Sequence, residues 1–435
     1  MKYYSTAHRS EPVSLRTAVL RGMPEDGGLY MPEDIPPMPA GFFENMQQLH
    51  YREIATSAGL TLLGEDLPAG ALIDIIDKAL DFDISLTALD RNLFILELFH
   101  GPTMAFKDAG ARFMAQLMGY YSESADRELT ILTATSGDTG SAVADAFHGV
   151  EGIRVVLLYP SGKVSHIQER QITTQGANIT ALEIDGSFDD CQKMVKAAFG
   201  DPDLRKDMQL SSANSINVAR LLPQSFYYFY ACAQLRQRGQ VAPPVISVPS
   251  GNLGNLTAGL IAKRMGLPVK RFIAACNAND SLPRYLRTGK YEPRGTVHTI
   301  SNAMDVGAPS NFARIVELYG HAPVFLRRDL YAAAFSDDET RDAMRRLYHD
   351  HGYITDPHGA VAICGIEHYR EGKVENAPAV ALETAHPAKF RGTVERTLEI
   401  GLDLPQALKE VLEKEKSSRK MPADFKAFKA YLRAL

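Results

Sequence analysis

The sequence lacks the patterns that mark metal-binding proteins and disulfide-rich secreted proteins. It has four cysteines, which are widely spaced and form no CxxC pair: Cys191, Cys232, Cys276 and Cys364. Its twelve histidines include no HExxH motif. Such spacing offers neither a disulfide framework nor a zinc site. We therefore expect four reduced thiols, no bound metal and a cytoplasmic protein.

Long apolar runs and basic clusters are missing as well. No stretch of about 18 apolar residues is present to form a membrane-spanning helix, and residues 1–9 lack the apolar core of a signal sequence. The formal net charge is −5, and no basic run occurs. These absences predict neither a membrane partner nor a nucleic-acid partner.

The composition that remains is ordinary for an enzyme. The 435 residues are 45% hydrophobic and 23% charged, which allows two or more domains. From about residue 90, apolar strands alternate with helices, which predicts an α/β fold with mostly parallel sheets. The predicted strands are 128–134, 154–159, 179–184, 245–249 and 377–383. The predicted helices are about 50–58, about 70–80, 189–199, 217–235, 256–264 and 336–351.

Residues 98–108 (LFHGPTMAFKD) connect an apolar strand at 93–98 to a helix that begins near Lys107. Asp108 stands where a carboxylate can cap the free N–H groups of a helix start. Burial and the positive end of the helix dipole lower the pKa of a lysine amine, which frees it to form a Schiff base. Taken alone, the pattern also fits a surface lysine at a loop–helix junction.

A glycine-rich loop follows the predicted strand 245–249 and precedes the predicted helix 256–264. Loops in this position direct backbone N–H groups at a phosphate, and the helix dipole adds attraction. The loop matches neither GxGxxG nor a Walker motif, so it indicates a small phosphate ester rather than a nucleotide. A plain tight turn is the alternative. The loop residues are Gly251, Asn252, Leu253, Gly254 and Asn255.

A second strand-to-helix loop is dense in hydroxyl groups and N–H donors, which suits a carboxylate or a phosphate. The alternative is a helix start capped by serine and aspartate. The loop residues are Thr135, Ser136, Gly137, Asp138 and Thr139.

Thr384 follows the predicted strand 377–383 directly. Ligands of α/β sheets collect at the carboxyl ends of strands, so its hydroxyl can face a heteroaromatic nitrogen. A satisfied strand-end hydroxyl is the simpler interpretation. Together, an activatable lysine, a phosphate loop and a strand-end hydroxyl are what pyridoxal 5′-phosphate requires, and the second anion loop suits the carboxylate of an amino-acid substrate.

Six segments of the sequence resemble the threonine synthase family, in the branch typified by bacterial and fungal enzymes. They are YST at 4–6, DGGLYMP at 26–32, FHGPTMAFKD at 99–108, TSGDTG at 135–140, GNLGN at 251–255 and ETAHPAKF at 383–390. The glycine loop is shared with the wider fold-type II group of pyridoxal phosphate enzymes. The sequence departs from the family at Ala7, where an arginine usually follows the threonine. It also departs at Asp138, where a second branch has asparagine beside the 3′-oxygen of the cofactor.

The resemblance implies a two-domain α/β fold of fold-type II, similar to the tryptophan synthase β subunit, with an extra N-terminal portion. The expected division is 1–88 for the N-terminal portion, 105–222 for a smaller inserted domain, and 89–104 with 223–435 for the larger cofactor-binding domain. By resemblance, Lys107 forms the Schiff base with the cofactor, residues 251–255 hold its phosphate, Thr384 bonds its pyridine nitrogen, and Asp138 is a further contact.

The resemblance also implies a reaction, in which O-phospho-L-homoserine and water become L-threonine and phosphate. The loop at 135–139 is then expected to bind the substrate carboxylate. Ser165, Asn217 and Arg220 are expected to contact the substrate phosphate, with a helix cap and surface salt bridges as the alternatives. Two competing functions are a related lyase or dehydratase that releases a keto acid, and a non-catalytic metabolite-binding protein. We expect a monomer or a small homo-oligomer.

Overall fold

The computed structural model describes residues 1–122, 127–372 and 376–435. The strands of these residues are β1 (Lys2–Ser5), β2 (Val13–Ser14), β3 (Tyr30–Pro32), β4 (Ser85–Ala88), β5 (Leu93–Glu97), β6 (Leu129–Ala134), β7 (Ile153–Pro160), β8 (Ile179–Asp185), β9 (Gln209–Ser212), β10 (Val245–Pro249), β11 (Arg271–Cys276), β12 (Leu330–Ala334), β13 (Ala379–Glu383) and β14 (Arg419–Pro422).

The α-helices of the same residues are α1 (Leu15–Arg21), α2 (Ala40–Asn45), α3 (Tyr51–Leu63), α4 (Ala69–Ala79), α5 (Lys107–Ser122), α6 (Asp138–Phe147), α7 (His166–Thr173), α8 (Phe188–Gly200), α9 (Pro202–Asp207), α10 (Val218–Leu221), α11 (Phe226–Gln237), α12 (Gly254–Arg264), α13 (Ser281–Thr288), α14 (Phe312–Leu318), α15 (Pro323–Asp329), α16 (Asp337–His351), α17 (Pro357–Arg370), α18 (Arg391–Leu398), α19 (Gln406–Glu413) and α20 (Phe425–Arg433). Among the described residues, no helix combines the length and the apolar character that a bilayer span requires.

The larger sheet has the strand order β12-β11-β10-β13-β5-β4 and is parallel except for the pairing of β4 with β5. Strands β10 and β13 are buried along their whole length. Continuous burial of this kind occurs when helices cover both faces of a parallel sheet. Helix α17 packs on one face against β10, β11 and β13. The sheet therefore forms a rigid base for the loops at its carboxyl edge.

The smaller sheet has the strand order β14-β8-β7-β6-β9 and is parallel throughout. Helices α8 and α20 contribute apolar side chains to the cluster on one face, which includes Cys191 and Phe428. Helices α5, α6 and α7 pack against one another in chain order, and α6 contacts β7. The N-terminal portion adds a small antiparallel sheet of order β2-β1-β3, and α4 packs on α5.

The predicted α/β class is confirmed, and each of the five predicted strands is present as β6, β7, β8, β10 and β13. The predicted helix 217–235 is wrong as a single element. It is divided into α10, a 3₁₀ turn over Leu222–Ser225, and α11. Pro223 explains the division, because proline has no N–H to donate within a helix.

The sheets assign two strands differently from the predicted domain boundaries. Strand β14 lies in the segment 223–435 that was assigned to the larger domain, yet it pairs with β8 in the smaller sheet. Strand β4 lies within the predicted N-terminal portion 1–88, yet it pairs with β5 in the larger sheet. The division of the chain into domains stays a prediction, and these two pairings concern only the edge strands β14 and β4.

Candidate active site

A cavity of about 280 Å³ lies where the carboxyl ends of both parallel sheets meet. Its lining includes the residues that follow β6 and β10, together with Thr384 after β13. Parallel strands end at one edge of a sheet, and that edge is where ligands of α/β proteins bind. The fold thus brings together loops that are more than 100 residues apart in the sequence.

Lys107 is the first residue of α5 and lines this cavity. Two backbone hydrogen bonds fix the segment before it to the strand end of the larger sheet: Phe106 N to Thr384 O at 2.9 Å, and His386 N to Met104 O at 3.0 Å. Burial lowers the pKa of Lys107 to about 8, and the cations Arg220 and Lys389 act in the same direction, while Asp138 opposes them. Near neutral pH the amine is therefore unprotonated far more often than that of an exposed lysine.

Asp108 does not cap α5 as the sequence suggested. Its carboxylate accepts from Thr103 N at 2.9 Å and from the Thr103 hydroxyl. The carboxylate therefore closes the turn that precedes Lys107 instead of capping the helix. Burial raises the pKa of Asp108 to about 6.

The glycine-rich loop has the geometry of an anion site. Leu253 adopts a left-handed conformation with φ of 62°, and α12 begins directly afterwards at Gly254. Asn252 Nδ2 donates to Ser215 Oγ at 2.7 Å, and Ser310 N donates to Asn252 Oδ1 at 2.6 Å. The free N–H groups at the start of α12 therefore border the cavity on a loop that hydrogen bonds hold in place.

Asn255 supplies a further unpaired donor at this loop. Its Oδ1 accepts from the hydroxyls of Tyr227 at 2.6 Å and Tyr228 at 2.5 Å, which fixes the orientation of the amide. Its Nδ2 is buried and has no hydrogen-bond partner among the described residues. Buried donors without partners are rare in folded proteins, so this atom indicates a missing acceptor at the cavity.

The structure uses the Thr135 hydroxyl inside its own loop, but not as the serine and aspartate cap of the alternative, since the N-cap of α6 is Gly137 and makes no side-chain capping bond. The Thr135 hydroxyl accepts from Gly137 N at 3.0 Å and Gly140 N at 2.7 Å, and it donates to Gly137 O at 3.1 Å. These contacts use the hydroxyl within the loop itself. Ser136, Asp138 and Thr139 also line the cavity, whereas Gly137 does not.

Asp138 takes part in a buried ion pair rather than standing free. Its Oδ1 lies 2.8 Å from Lys389 Nζ and accepts from Gln168 Nε2 at 2.9 Å. Burial alone would raise the pKa of Asp138, but the charges of Lys389 and Lys107 hold it well below its usual range.

Of the three predicted phosphate contacts, the structure brings only Arg220 into the cavity. Ser165 caps α7 by accepting from Gln168 N at 3.2 Å. Asn217 is fully buried, caps α10, and donates to Val19 O at 2.9 Å and Ser212 O at 3.1 Å. Both side chains are therefore used to build local structure, and neither lines the cavity.

Arg220 is buried at 2% exposure and faces no carboxylate at ion-pair distance among the described residues. Its Nη1 donates to Ala213 O at 2.6 Å, but its buried Nε has no partner. Burial lowers the pKa of Arg220 to about 10, while Asp108 opposes the shift. A buried cation with an unused donor, at the edge of a cavity, is suited to an anionic ligand.

Sequence reasoning missed Asn214, Ser215 and His358, which line the cavity, and Lys389, which pairs with Asp138. His358 Nδ1 lies 2.6 Å from Asp356 Oδ1, and Ala303 N donates to His358 Nε2 at 3.2 Å. The ring proton is therefore on Nδ1. For Asn214 and Ser215, the available signal was their position in the short polar loop between β9 and α10, close to Arg220.

Outside the cavity, the described residues contain one group of potential metal ligands, His8, Glu317 and His321. The Nε2 atoms of the two histidines lie 3.0 and 2.7 Å from the Glu317 oxygens, so hydrogen bonds join the three side chains. His8 is distant in sequence from Glu317 and His321, so no local pattern predicts that the three side chains meet.

Comparison with known proteins agrees with this geometry. Residues 84–384 match the family described as pyridoxal-phosphate dependent enzyme. Residues 2–80 match the threonine synthase N terminus, and residues 359–432 match the C-terminal part of threonine synthase. The threonine synthase of Serratia marcescens is 45% identical over 437 residues, covering 100% of both chains.

Two solved structures are similar over the full length. The crystal structure of threonine synthase from Escherichia coli has a TM-score of 0.93 at 43% identity, covering 100% of both chains. The pyridoxal phosphate-bound threonine synthase from Brucella melitensis has a TM-score of 0.92 at 36% identity, covering 100% of this chain and 99% of that one.

The fold, the cavity lysine and the anion loop define a fold-type II enzyme that depends on pyridoxal phosphate. Within that class the similarity runs from the N-terminal portion to the C-terminal helices. The chain belongs to the threonine synthase family.

The residues present fit the cofactor of this family. The α12 N-terminus and the unpaired Asn255 Nδ2 suit a phosphate. Lys107, with its lowered pKa, would supply the amine for the aldehyde. Thr384 lies at the cavity wall after β13 and offers a neutral hydroxyl.

Proposed function

We propose that this cavity converts O-phospho-L-homoserine and water to L-threonine and phosphate. One observation supports the proposal above others: the cavity has two separate places for an anion. The first is the start of α12, which suits the cofactor phosphate. The second is the buried Arg220, whose Nε is unpaired. A substrate that carries its own phosphate requires this second position.

Arg220, with the nearby Asn214 and Ser215, forms the proposed site for the substrate phosphate. Charge-assisted hydrogen bonds to a phosphate are among the strongest that a site can offer. Because the phosphate also leaves during the reaction, contacts that strengthen as its charge grows accelerate the step and do not merely tighten binding. Homoserine lacks both the charge and the leaving group, so it should be a poor substrate.

Lys107 is the proposed acid–base residue. Two other lysines lie near the cavity, but Lys389 is ion-paired with Asp138 and Lys163 is exposed. Lys107 makes no ion pair with any described residue, and its lowered pKa suits proton transfer near neutral pH. We assign to its Nζ the removal of the Cα proton and then of a Cβ proton of the substrate. After phosphate leaves from Cγ, protons return to Cγ and Cα, and water adds at Cβ. Pyridoxal phosphate, when bound, withdraws electrons from the substrate Cα.

Loop 135–139 and Thr384 are proposed to orient the reactants. With the Thr135 hydroxyl used inside the loop, Ser136, Thr139 and backbone N–H groups remain to bind the substrate carboxylate. Thr384 is proposed to bond the pyridine nitrogen with a neutral hydroxyl. Such a partner does not force protonation of the ring, so electrons can move onward to the leaving phosphate.

The decisive experiment supplies O-phospho-L-homoserine in water enriched in oxygen-18 and follows products by mass spectrometry. Threonine labelled at the Cβ hydroxyl, equimolar with released phosphate, is the expected result. Lys107→Ala serves as the inactive control, and Arg220→Met should raise KM for the phosphorylated substrate. If 2-oxobutanoate and ammonia are the main products, the protein is instead a lyase or dehydratase.

We also propose that the protein acts in the cytoplasm as a monomer or a small homo-oligomer. All four cysteines are free and buried, which suits a reducing compartment. Light scattering on the purified protein would determine the number of chains in the assembly.

A further inference from the structure

Lys389 is a buried cation that none of the steps above uses. It lies in the 3₁₀ turn Pro387–Phe390, which follows β13 of the larger sheet, and its side chain is fully buried. Its Nζ lies 2.8 Å from Asp138 Oδ1 and donates to Thr103 O at 2.7 Å. A lysine is almost never buried to this extent unless it is paired.

One partner of Lys389 comes from the other side of the cavity, and the second comes from the lysine turn. Asp138 begins α6 beside the smaller sheet, and Gln168 of α7 donates to the same Asp138 oxygen at 2.9 Å. Thr103 belongs to the turn that presents Lys107, and its carbonyl also accepts from Gln171 Nε2 at 3.2 Å. The Lys389 amine therefore joins the larger sheet, the smaller sheet and the lysine turn.

We propose that Lys389 and Asp138 act as one electrically neutral unit, in which Lys389 is a positioning residue that keeps Asp138 paired and directs it toward the cofactor. The inference rests on the proposed function of the cavity. Because Lys389 lies against Asp138, the charges of the two groups largely cancel at the cavity beside Lys107.

The charges around Lys107 make this proposal measurable. Asp138, Lys389 and Arg220 all act on Lys107, and Asp138 opposes the two cations. Asp108 is the other carboxylate that Lys389 influences. Removing Lys389 leaves Asp138 unpaired next to Lys107, whereas removing the Asp138 charge leaves Lys389 unpaired there. The two changes therefore act on the Lys107 nitrogen in opposite directions.

The test is a pH titration of the visible absorption of the holoenzyme without substrate. In Lys389→Met, the loss of a positive charge favours protonation of the Lys107 nitrogen, so the midpoint should rise by about 1 unit. In Asp138→Asn, the loss of a negative charge should lower the midpoint by about 1 unit. In the double variant, both charges are gone, and the midpoint should return close to that of the wild type.

Lys416→Met is the matched control, because Lys416 is also ion-paired, with Glu169 and Glu183, but does not line the cavity. Its midpoint should equal the wild-type value. Equal midpoints in all variants, or shifts of the same sign in both single variants, would overturn the proposal. If Lys389→Met does not fold, Asp138→Asn and the double variant still test the proposal. The midpoint should be lowered in Asp138→Asn and should return to the wild-type value when Lys389 is replaced as well.

The result of this pH titration can be judged separately from the result of the product assay. A holoenzyme with the predicted titration pattern that makes 2-oxobutanoate would retain the inferred charge unit and reject the proposed reaction. Threonine formation with unshifted midpoints would support the proposed reaction and reject the inferred charge unit.

Discussion

Replacing Arg314 by methionine should destabilise the protein and weaken substrate binding, although Arg314 does not line the cavity. Arg314 lies on α14 and is fully buried. It donates two hydrogen bonds to Tyr30 O, at 3.1 and 3.0 Å, and one each to Ser215 O at 3.0 Å and Ile216 O at 2.6 Å. A fifth reaches Asn311 Oδ1 at 2.7 Å. The guanidinium therefore joins the N-terminal portion to the loop that carries Ser215.

The size of the expected destabilisation follows from two opposing contributions to the free energy of unfolding. Methionine leaves the buried carbonyl of Tyr30 and the part-buried carbonyls of Ser215 and Ile216 without this donor. A buried acceptor left unpaired costs about 1–3 kcal/mol, and a part-buried one costs less. The substitution also removes a cation that is costly to bury, since burial lowers the pKa of Arg314 to about 9. That relief offsets part of the cost, so the expected net loss is about 3 kcal/mol, at the lower end of the range for breaking buried charged contacts.

Urea denaturation would measure the loss in the free energy of unfolding from the shift in the midpoint concentration of urea, provided that the slope of the free energy against urea is the same in both proteins. Arg271→Met is the matched control. Among the described residues, Arg271 likewise donates to backbone carbonyls, those of Arg327 and Arg328. These bonds are solvent-exposed, so the loss should stay below about 1 kcal/mol. KM for O-phospho-L-homoserine should rise in Arg314→Met, because Ser215 and Asn252 lose their support. Equal losses in the two variants would refute the reasoning.

Three further outcomes are expected. Because burial lowers the pKa of Lys107 to about 8, cofactor uptake by the apoprotein should accelerate as pH rises and level off above about pH 8. A flat pH profile would contradict this assignment. Borohydride reduction of the holoenzyme should label Lys107. In Thr384→Asp, exchange of the substrate α proton should persist while elimination slows, and an equal fall of both rates in a deuterium-exchange assay would show that the role given to Thr384 is wrong. In Gly359→Ala, a Cβ would lie 1.6 Å from Glu383 Oε2 and force that carboxylate away from Thr355. Thermal unfolding should therefore show a loss of about 3 kcal/mol in the free energy of unfolding. Gly70→Ala is the control and should be neutral or stabilising, because no atom lies within 4 Å of its Cβ.

The parts of the fold that sequence reasoning reached are those with a local signal. Strands such as β10 read as short apolar runs because parallel strands are buried on both faces. The Lys107 segment and the glycine loop 251–255 were recognised because each lies within one strand–loop–helix unit. Strand β14 gave no signal, since three of its four residues are exposed at the edge of the sheet.

Ser165 and Asn217 show why site residues were harder to predict. A serine or asparagine before a helix has the same appearance in sequence whether its oxygen caps the helix or binds a ligand. Both residues turn out to be capping residues that do not line the cavity. Arg220, three positions after Asn217, differs because a buried guanidinium has more donors than its surroundings use, which leaves its Nε unpaired.

The two buried cations that sequence reasoning missed have a common physical role. Lys389 is 251 positions from Asp138, and Arg314 is 99 positions from Ser215. No local pattern relates such residues, because each partner is brought near only when both sheets and the N-terminal portion have packed. The loops at the cavity supply the hydroxyls and N–H groups that contact ligands, whereas these two cations fix how the loops face one another. Substitutions in the loops should therefore alter the chemistry, and substitutions of Lys389 or Arg314 should alter the placement of groups that are themselves unchanged.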